Sequence, residues 1–270
     1  MPASRFLSVA LSAAALCVSL AAQSLTIQPA KAEKTTEVRT VPLASGSTLK
    51  VKNVNGFIHV EAWDREEVQF TGEFKPSSKD EQVKVVLESG NHSLEIRGIY
   101  PHHSGWGSYQ GPQCQMTLKV PRRVAPTLET VNGEVMIRDI QGAAKVSTVN
   151  GGIEAVGLEE ALKAETVNGG ITLDRVLGNL SVQTVNGAIK GKRLEGHAKG
   201  IHAETVNGSI HLELAGMKGR LAATTVNGHI SFKAAGAEQV EVEKHSVKAH
   251  FPGSDEAITL ETVNGGITLD

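Results

Sequence analysis

Residues 168–186 read NGGITLDRVLGNLSVQTVN. Ile171 and Leu173 alternate with polar residues, and Leu180 and Val182 do the same after Gly178-Asn179. Two short strands of period two follow from this pattern, with Asn-Gly marking one turn and Leu-Gly-Asn the other. The next stretch repeats the scheme with Ile189, Leu194, Ile201 and Ala203. Thr-Val-Asn-Gly occurs seven times, with its asparagines at Asn132, Asn150, Asn168, Asn186, Asn207, Asn227 and Asn264. Their successive spacings are 18, 18, 18, 21, 20 and 37 residues. Asn-Gly between two strands usually signals a hairpin, but near-identical copies at one short period describe stacked coils. The expected fold is all-β: a parallel β-solenoid with coils of about 18–21 residues.

In such a stack equivalent residues recur about every 4.8 Å along the axis. The seven asparagines then form a structural ladder, each carboxamide bonding the next and so tolerating burial. The glycine after each asparagine is expected to supply a positive φ at a sharp corner. Strict alternation points Leu180, Val182 and Thr184 inward and Val185 outward. Repeated in every copy, this predicts an external valine stripe unless a bulge turns the valine in or another layer covers it.

Outward from the repeats the pattern weakens. Ser246-Val247-Lys248-Ala249-His250-Phe251 aligns with Thr-Val-Asn-Gly-x-Ile as a worn copy, which divides the last gap into 21 and 16 residues. Asn53-Val54-Asn55-Gly56 is an eighth, variant copy. Residues 129–270 are therefore read as the regular solenoid and 41–128 as its irregular N-terminal part, an atypical cap on an otherwise open edge. Residues 23–40 read as a flexible leader. Residues 1–22 combine Arg5 with an uncharged apolar run from Phe6 to Ala22, the form of a secretory signal peptide. Cleavage is compatible with the end of that run or with Ala30-Lys31-Ala32. No second apolar run of membrane length follows.

A signal peptide, then VKNVNGFIHVEAWDREEV, then KVPRRV, then Thr-Val-Asn-Gly repeats: this combination resembles the bacterial "putative adhesin" family, a domain of unknown function. The resemblance covers roughly residues 40–270. It implies a β-helical fold and an adhesin-like role, and it brings no catalytic residues.

Composition bounds the chemistry. With 27 basic and 29 acidic residues, the net charge of −2 offers no excess to hold a nucleic-acid backbone. Once the signal is removed Cys114 is the single cysteine, so no internal disulfide is available, and its setting in CQMTLKV is that of a strand residue. The chain has no G-x-S-x-G, H-E-x-x-H, phosphate loop or C-x-x-C. Arg138-Asp139, Asp174-Arg175 and Lys192-Arg193 share a repeat position and read as a solvated corner. The histidines, among them His102, His103, His202, His211 and His229, show no spacing that converges three ligands on a metal. No cofactor is expected. The loop YPHHSGWGSYQGP carries Tyr100, Trp106 and Tyr109 among glycines. These aromatics either contact a ligand or partner, or fold back over the end of the solenoid.

The reading that combines these features is an exported, non-enzymatic β-solenoid in the periplasm, at the cell surface or secreted. It would present a binding or assembly surface to an envelope protein or glycan. The alternatives are a polysaccharide-active β-helix enzyme and a purely structural spacer. The half period after Asn264 further suggests an unpaired last coil and weak self-association there.

Overall fold

The computed structural model describes residues 23–29, 34–77, 82–101, 111–194, 200–213, 216–233 and 235–270. Two sheets of 13 and 11 strands face each other across one apolar core. Each coil gives one strand to each sheet. In the repeat core Leu162–Asn168 pairs in parallel with Ala144–Asn150 and Leu180–Asn186, while Ile171–Val176 pairs with Ile153–Leu158 and Ile189–Lys192. The register is unbroken: Asn150, Asn168, Asn186 and Asn207 stand opposite one another. Leu180, Val182, Ile171 and Leu173 are all buried, as their alternation requires. The fold is the expected all-β parallel solenoid. No helix among the described residues is long and apolar enough to cross a membrane, which says nothing of a β-barrel.

At the end of the second strand of each of these coils the backbone turns through a left-handed residue. Asp139, Gly157, Arg175 and Arg193 occupy this position on four successive coils, with φ between 52° and 68°. The adjoining charges pair along the stack. Arg193 holds Asp174 through Nε at 2.7 Å, and this bond keeps the Asp174 carboxyl below the usual carboxylate range. Arg193 is exposed and Asp174 half-buried.

Coil order departs from chain order at both ends. The coil made by Ala257–Asn264 and Ile267–Leu269 lies between two earlier ones. Its strands pair with Ile201–Asn207 and Ile210–Leu212 on one side, and with Gly219–Asn227 and Ile230–Phe232 on the other. The expected unpaired last coil is thus corrected: both its edges are satisfied, and self-association through it lacks a free template. The outermost coil is 219–232. At the other end the coil of Thr48–Lys52 and Ile58–Trp63 is inserted between that of Ser93–Ile99 and Gln113–Pro121 and that of Ala125–Glu129 and Val135–Arg138.

Three further expectations change. Ser246–Phe251 is no worn coil. It runs antiparallel to Gly219–Asn227 and forms a hairpin with Glu238–Val242 that caps one sheet. The alternation of Val240 and Val242 with polar neighbours, closed by Lys244-His245, is a hairpin pattern that alignment to the repeat conceals. Residues 23–40 are no flexible leader throughout. Gln23–Ile27 pairs antiparallel with Lys84–Ser89, and Thr35–Pro42 pairs with Glu67–Lys75, because these sheet edges offer unpaired backbone groups. The region 41–128 does continue the solenoid, but through two parallel coils extended by antiparallel strands. The signal segment 1–22 and Ala30-Lys31-Ala32 lie outside the described residues.

Candidate functional site: the valine–asparagine edge

Thr-Val-Asn-Gly turns the chain from one sheet into the other, and each of its residues has a separate task. The threonine is the last inward residue. Thr130, Thr148, Thr166, Thr184, Thr205, Thr225 and Thr262 are 0–5% exposed. Each hydroxyl donates to a glycine carbonyl of the adjacent coil, as Thr166 does to Gly151 and Thr184 to Gly169 at 2.8–2.9 Å. Burial of these hydroxyls therefore leaves no polar atom unpaired.

The valine then points out. Val54, Val131, Val149, Val167, Val185, Val263 and Val226 are 36–61% exposed, and Val206 is half-buried. Neither of the anticipated remedies, a bulge or a covering layer, is present among the described residues. The asparagine is exposed beside it. Asn132, Asn150, Asn168, Asn186, Asn207, Asn264 and Asn227 each donate from Nδ2 to Oδ1 of the preceding carboxamide, at 2.7–3.0 Å, starting from Asn55. The ladder exists, but it lies on the surface and not in the core. The buried hydrogen-bonding column is the threonine one, which alternation alone places inside.

The glycine acts through its missing Cβ. A Cβ on Gly151, Gly169 or Gly187 would sit 2.0 Å from the carbonyl oxygen of the glycine one coil away. None of the seven repeat glycines has positive φ; Gly56 of the variant copy does, at 130°. The expected left-handed corner is replaced by close backbone stacking.

One consequence separates the two columns. Thr184→Val should lower stability by about 1–3 kcal/mol, since it strands the Gly169 carbonyl in the interior. Asn186→Ala should cost about 0.5 kcal/mol or less, because water replaces its two exposed ladder bonds. Urea denaturation of the two variants checks this, and an Asn186→Ala loss equal to that of Thr184→Val would contradict it.

The N-terminal end of the edge is closed by Tyr100. Its hydroxyl lies 2.5 Å from Asn53 Oδ1 and 2.9 Å from the Asn55 carbonyl, and it accepts the Asn55 N–H at 3.2 Å. Asn53 stands where the repeat has threonine, and its Nδ2 donates to the Cys114 carbonyl at 2.8 Å. Burial raises the Tyr100 phenol above its usual pKa. Of the three aromatics, Tyr100 is thus placed as part of the fold, while Trp106 and Tyr109 lie outside the described residues.

The edge itself is uncharged. On one side Glu129, Glu165, Glu204 and Glu261 line the neighbouring column, with Lys52 and Lys163 paired to the first two at 3.1 and 2.8 Å. On the other side Gly152, Gly170, Ala188, Ser209 and Gly266 leave a low flank along the middle coils, between Phe57 and Glu134 at one end and His229 at the other. Among the described residues no group of three or more His, Cys, Asp or Glu side chains could hold a metal ion. His211 faces Asp270 at 3.6 Å and His202 faces Glu204 at 3.8 Å; His102 and His103 are outside the described residues. Cys114 is buried, and burial pushes its thiol up to about 12, so it is held as the neutral thiol.

Solved structures similar to this chain include a "putative cell adhesion protein" from Clostridium sporogenes, at 13% identity and TM-score 0.42, covering 88% of this chain and 99% of that one. A "putative adhesin" from Bacteroides fragilis is similar at 13% identity and TM-score 0.45, with the same coverage of 88% and 99%. A "putative lipid binding protein" from Parabacteroides distasonis is similar at 13% identity and TM-score 0.30, covering 87% and 96%. Likenesses this distant bear on neither ligand nor activity. No curated protein matches the chain. The Toastrack DUF4097 family, in contrast, matches residues 21–270, nearly the whole sequence. The chain belongs to the Toastrack DUF4097 family.

Proposed function

We propose that this protein is an exported, non-enzymatic solenoid whose valine–asparagine edge is a binding surface for a polymeric glycan of the cell envelope. One observation carries the reading: coil after coil keeps a valine outside, beside an exposed carboxamide, although the core makes no use of that side chain. Exposed apolar residues aligned in a row are a cost to a soluble protein unless they meet something. A row of methyl groups suits the C–H faces of sugars, and carboxamides both donate to and accept from hydroxyls. The regular rise, about 4.8 Å per coil, suits a ligand that repeats.

Export rests on the form of residues 1–22. Gln23–Ile27 is a paired strand, so cleavage close to Ala22 keeps the sheet whole, while cleavage after Ala32 removes a strand from it. The exported protein should therefore begin near Gln23 on N-terminal sequencing.

The test is co-sedimentation of that protein with isolated peptidoglycan and with purified envelope polysaccharides. The triple variant Val149→Lys, Val167→Lys, Val185→Lys leaves the core untouched and should bind roughly tenfold more weakly or worse. Equal binding by the variant would remove the edge from the reading, release of soluble sugar fragments would favour an enzyme, and no binding to any polymer would favour a spacer.

A further inference from the structure

The Asn-Gly dipeptide is chemically weak. The glycine nitrogen, unhindered by a side chain on its own residue, can attack the preceding carboxamide and form a cyclic imide. The column holds eight such dipeptides, at Asn55, Asn132, Asn150, Asn168, Asn186, Asn207, Asn227 and Asn264. The fold shields most of them. The N–H groups of Gly56, Gly133, Gly151, Gly169, Gly187 and Gly208 each donate to the asparagine carbonyl of the next coil, at 2.9–3.2 Å. Those nitrogens are held away from their own carboxamides in rigid, paired backbone. From Asn132 to Asn207, and at Asn264, the carboxamide is also fixed from both sides, donating to one neighbour and accepting from the other.

Asn227 differs in three respects. It belongs to the outermost coil, so its Nδ2 donates to Asn264 Oδ1 at 3.0 Å while no carboxamide stacks beyond it. Among the described residues the Gly228 N–H has no backbone hydrogen bond of the kind its counterparts make. The capping hairpin stops short of it: pairing runs from Gly219 to Thr224, and the His245 carbonyl accepts the Thr225 N–H at 3.0 Å, after which the cap turns back. Val226, beside it, is the most exposed valine of the column at 61%. Gly265 also lacks an inter-coil bond, but Asn264 is clamped by Asn207 and Asn227.

We propose that Asn227 is a site of self-catalysed covalent modification, the one repeat asparagine that the folded protein leaves open to deamidation. The Gly228 nitrogen bonds to the Asn227 Cγ, loses its proton, and ammonia departs with Nδ2, leaving a succinimide. Water then opens the ring at either carbonyl, giving aspartate or isoaspartate. The sum is one water consumed and one ammonia released, with no oxidant or reductant. Either product removes the donor to Asn264 Oδ1 and sets a carboxylate against that acceptor. Isoaspartate also lengthens the backbone and breaks the Asn227–Asn264 register. The modification therefore loosens the outermost coil and leaves the interior ladder intact.

The experiment is incubation of the full exported protein at mildly alkaline pH and 37 °C in heavy-oxygen water, followed by peptide mapping. Heavy oxygen should enter at position 227 roughly tenfold faster than at any other Asn-Gly, because access there needs only local opening. In denaturing urea all eight sites should react at comparable rates, which ties the difference to the fold. Asn227→Gln keeps a ladder donor but cyclises slowly, so it should abolish the fast release of one equivalent of ammonia. A fast phase that survives in Asn227→Gln overturns the proposal, as does first conversion at an interior asparagine. Equal rates at all sites in the folded protein, or no conversion at 227 while the urea sample reacts fully, overturn it equally.

Discussion

Gly169→Ala is expected to lower the stability of the protein by about 3 kcal/mol or more, at the upper end of what overpacking costs. The added Cβ would lie 2.0 Å from the Gly151 carbonyl oxygen and 2.5 Å from its carbon. Both are backbone atoms, so relief requires moving two coils apart and weakening the threonine and asparagine bonds between them. The adjacent glycine provides a matched control. At Gly170 the nearest atom to a new Cβ is the Ala188 carbonyl oxygen at 3.0 Å, and alanine already stands at the equivalent place one coil on. Gly170→Ala should therefore cost far less. Thermal and urea denaturation of the pair decide the matter. Similar midpoints for the two variants would show that the coils are free to spread at this corner.

Ending the chain after Glu256 should be more damaging than the loss of one coil from the tip of a solenoid. Ile258, Leu260, Ile267 and Leu269 are 0–1% exposed. At about 1.5–3 kcal/mol for each side chain, their burial contributes about 6–12 kcal/mol, comparable to the whole stability of a typical domain, about 5–15 kcal/mol. Their removal also strips Gly219–Asn227 and Ile230–Phe232 of the neighbours that hold them to the stack. Hydrogen exchange should show protection lost across 219–251 and reduced in 201–212, with 144–192 retained, since each coil depends on those beside it. A peptide of residues 257–270 supplied in trans should restore the protection. Undiminished protection of 219–251 in the shortened protein would mean that the outer coil re-docks on Ile201–Asn207 without help.

The periodic part of this architecture is open to reading because its chemistry repeats. Two strands per coil, parallel stacking and the inward set Leu180, Val182, Ile171 and Leu173 all follow from alternation and an 18-residue spacing. The order of the coils does not, and the reason is physical. Every Thr-Val-Asn-Gly corner can stack on every other, so nothing in residues 257–269 distinguishes a last coil from an inserted one. The same identity makes 246–251 look like a degenerate repeat when its alternation belongs to a hairpin. For the candidate edge, the external valines are legible in strict alternation. The exposure of the asparagines is not, because a carboxamide ladder satisfies itself equally well in the core and in water. The glycine is misread for a related reason: Asn-Gly suggests a left-handed corner, while the constraint comes from a neighbouring coil 18 residues away. Tyr100 can be placed near the end of the stack from its loop, but its contacts with Asn53 and Asn55 depend on which coil is outermost.

The insertion of coil 257–269 between 201–212 and 219–232 has a kinetic meaning. A solenoid whose coils stack in chain order can grow one coil at a time from whichever end appears first. Here residues 219–232 reach their site only when a segment 25 residues further along has entered the stack. A chain emerging N-terminus first, from a ribosome or through a membrane pore, can zip up its first seven coils and must then pause. The remaining strands are held in a non-native state until the last of them arrives. Long-range closure of this kind is slow compared with neighbour-on-neighbour addition. During the pause the exposed edges of 201–212 present an open template, so the interval between synthesis and closure is the time at which this protein is most vulnerable to pairing with the wrong partner.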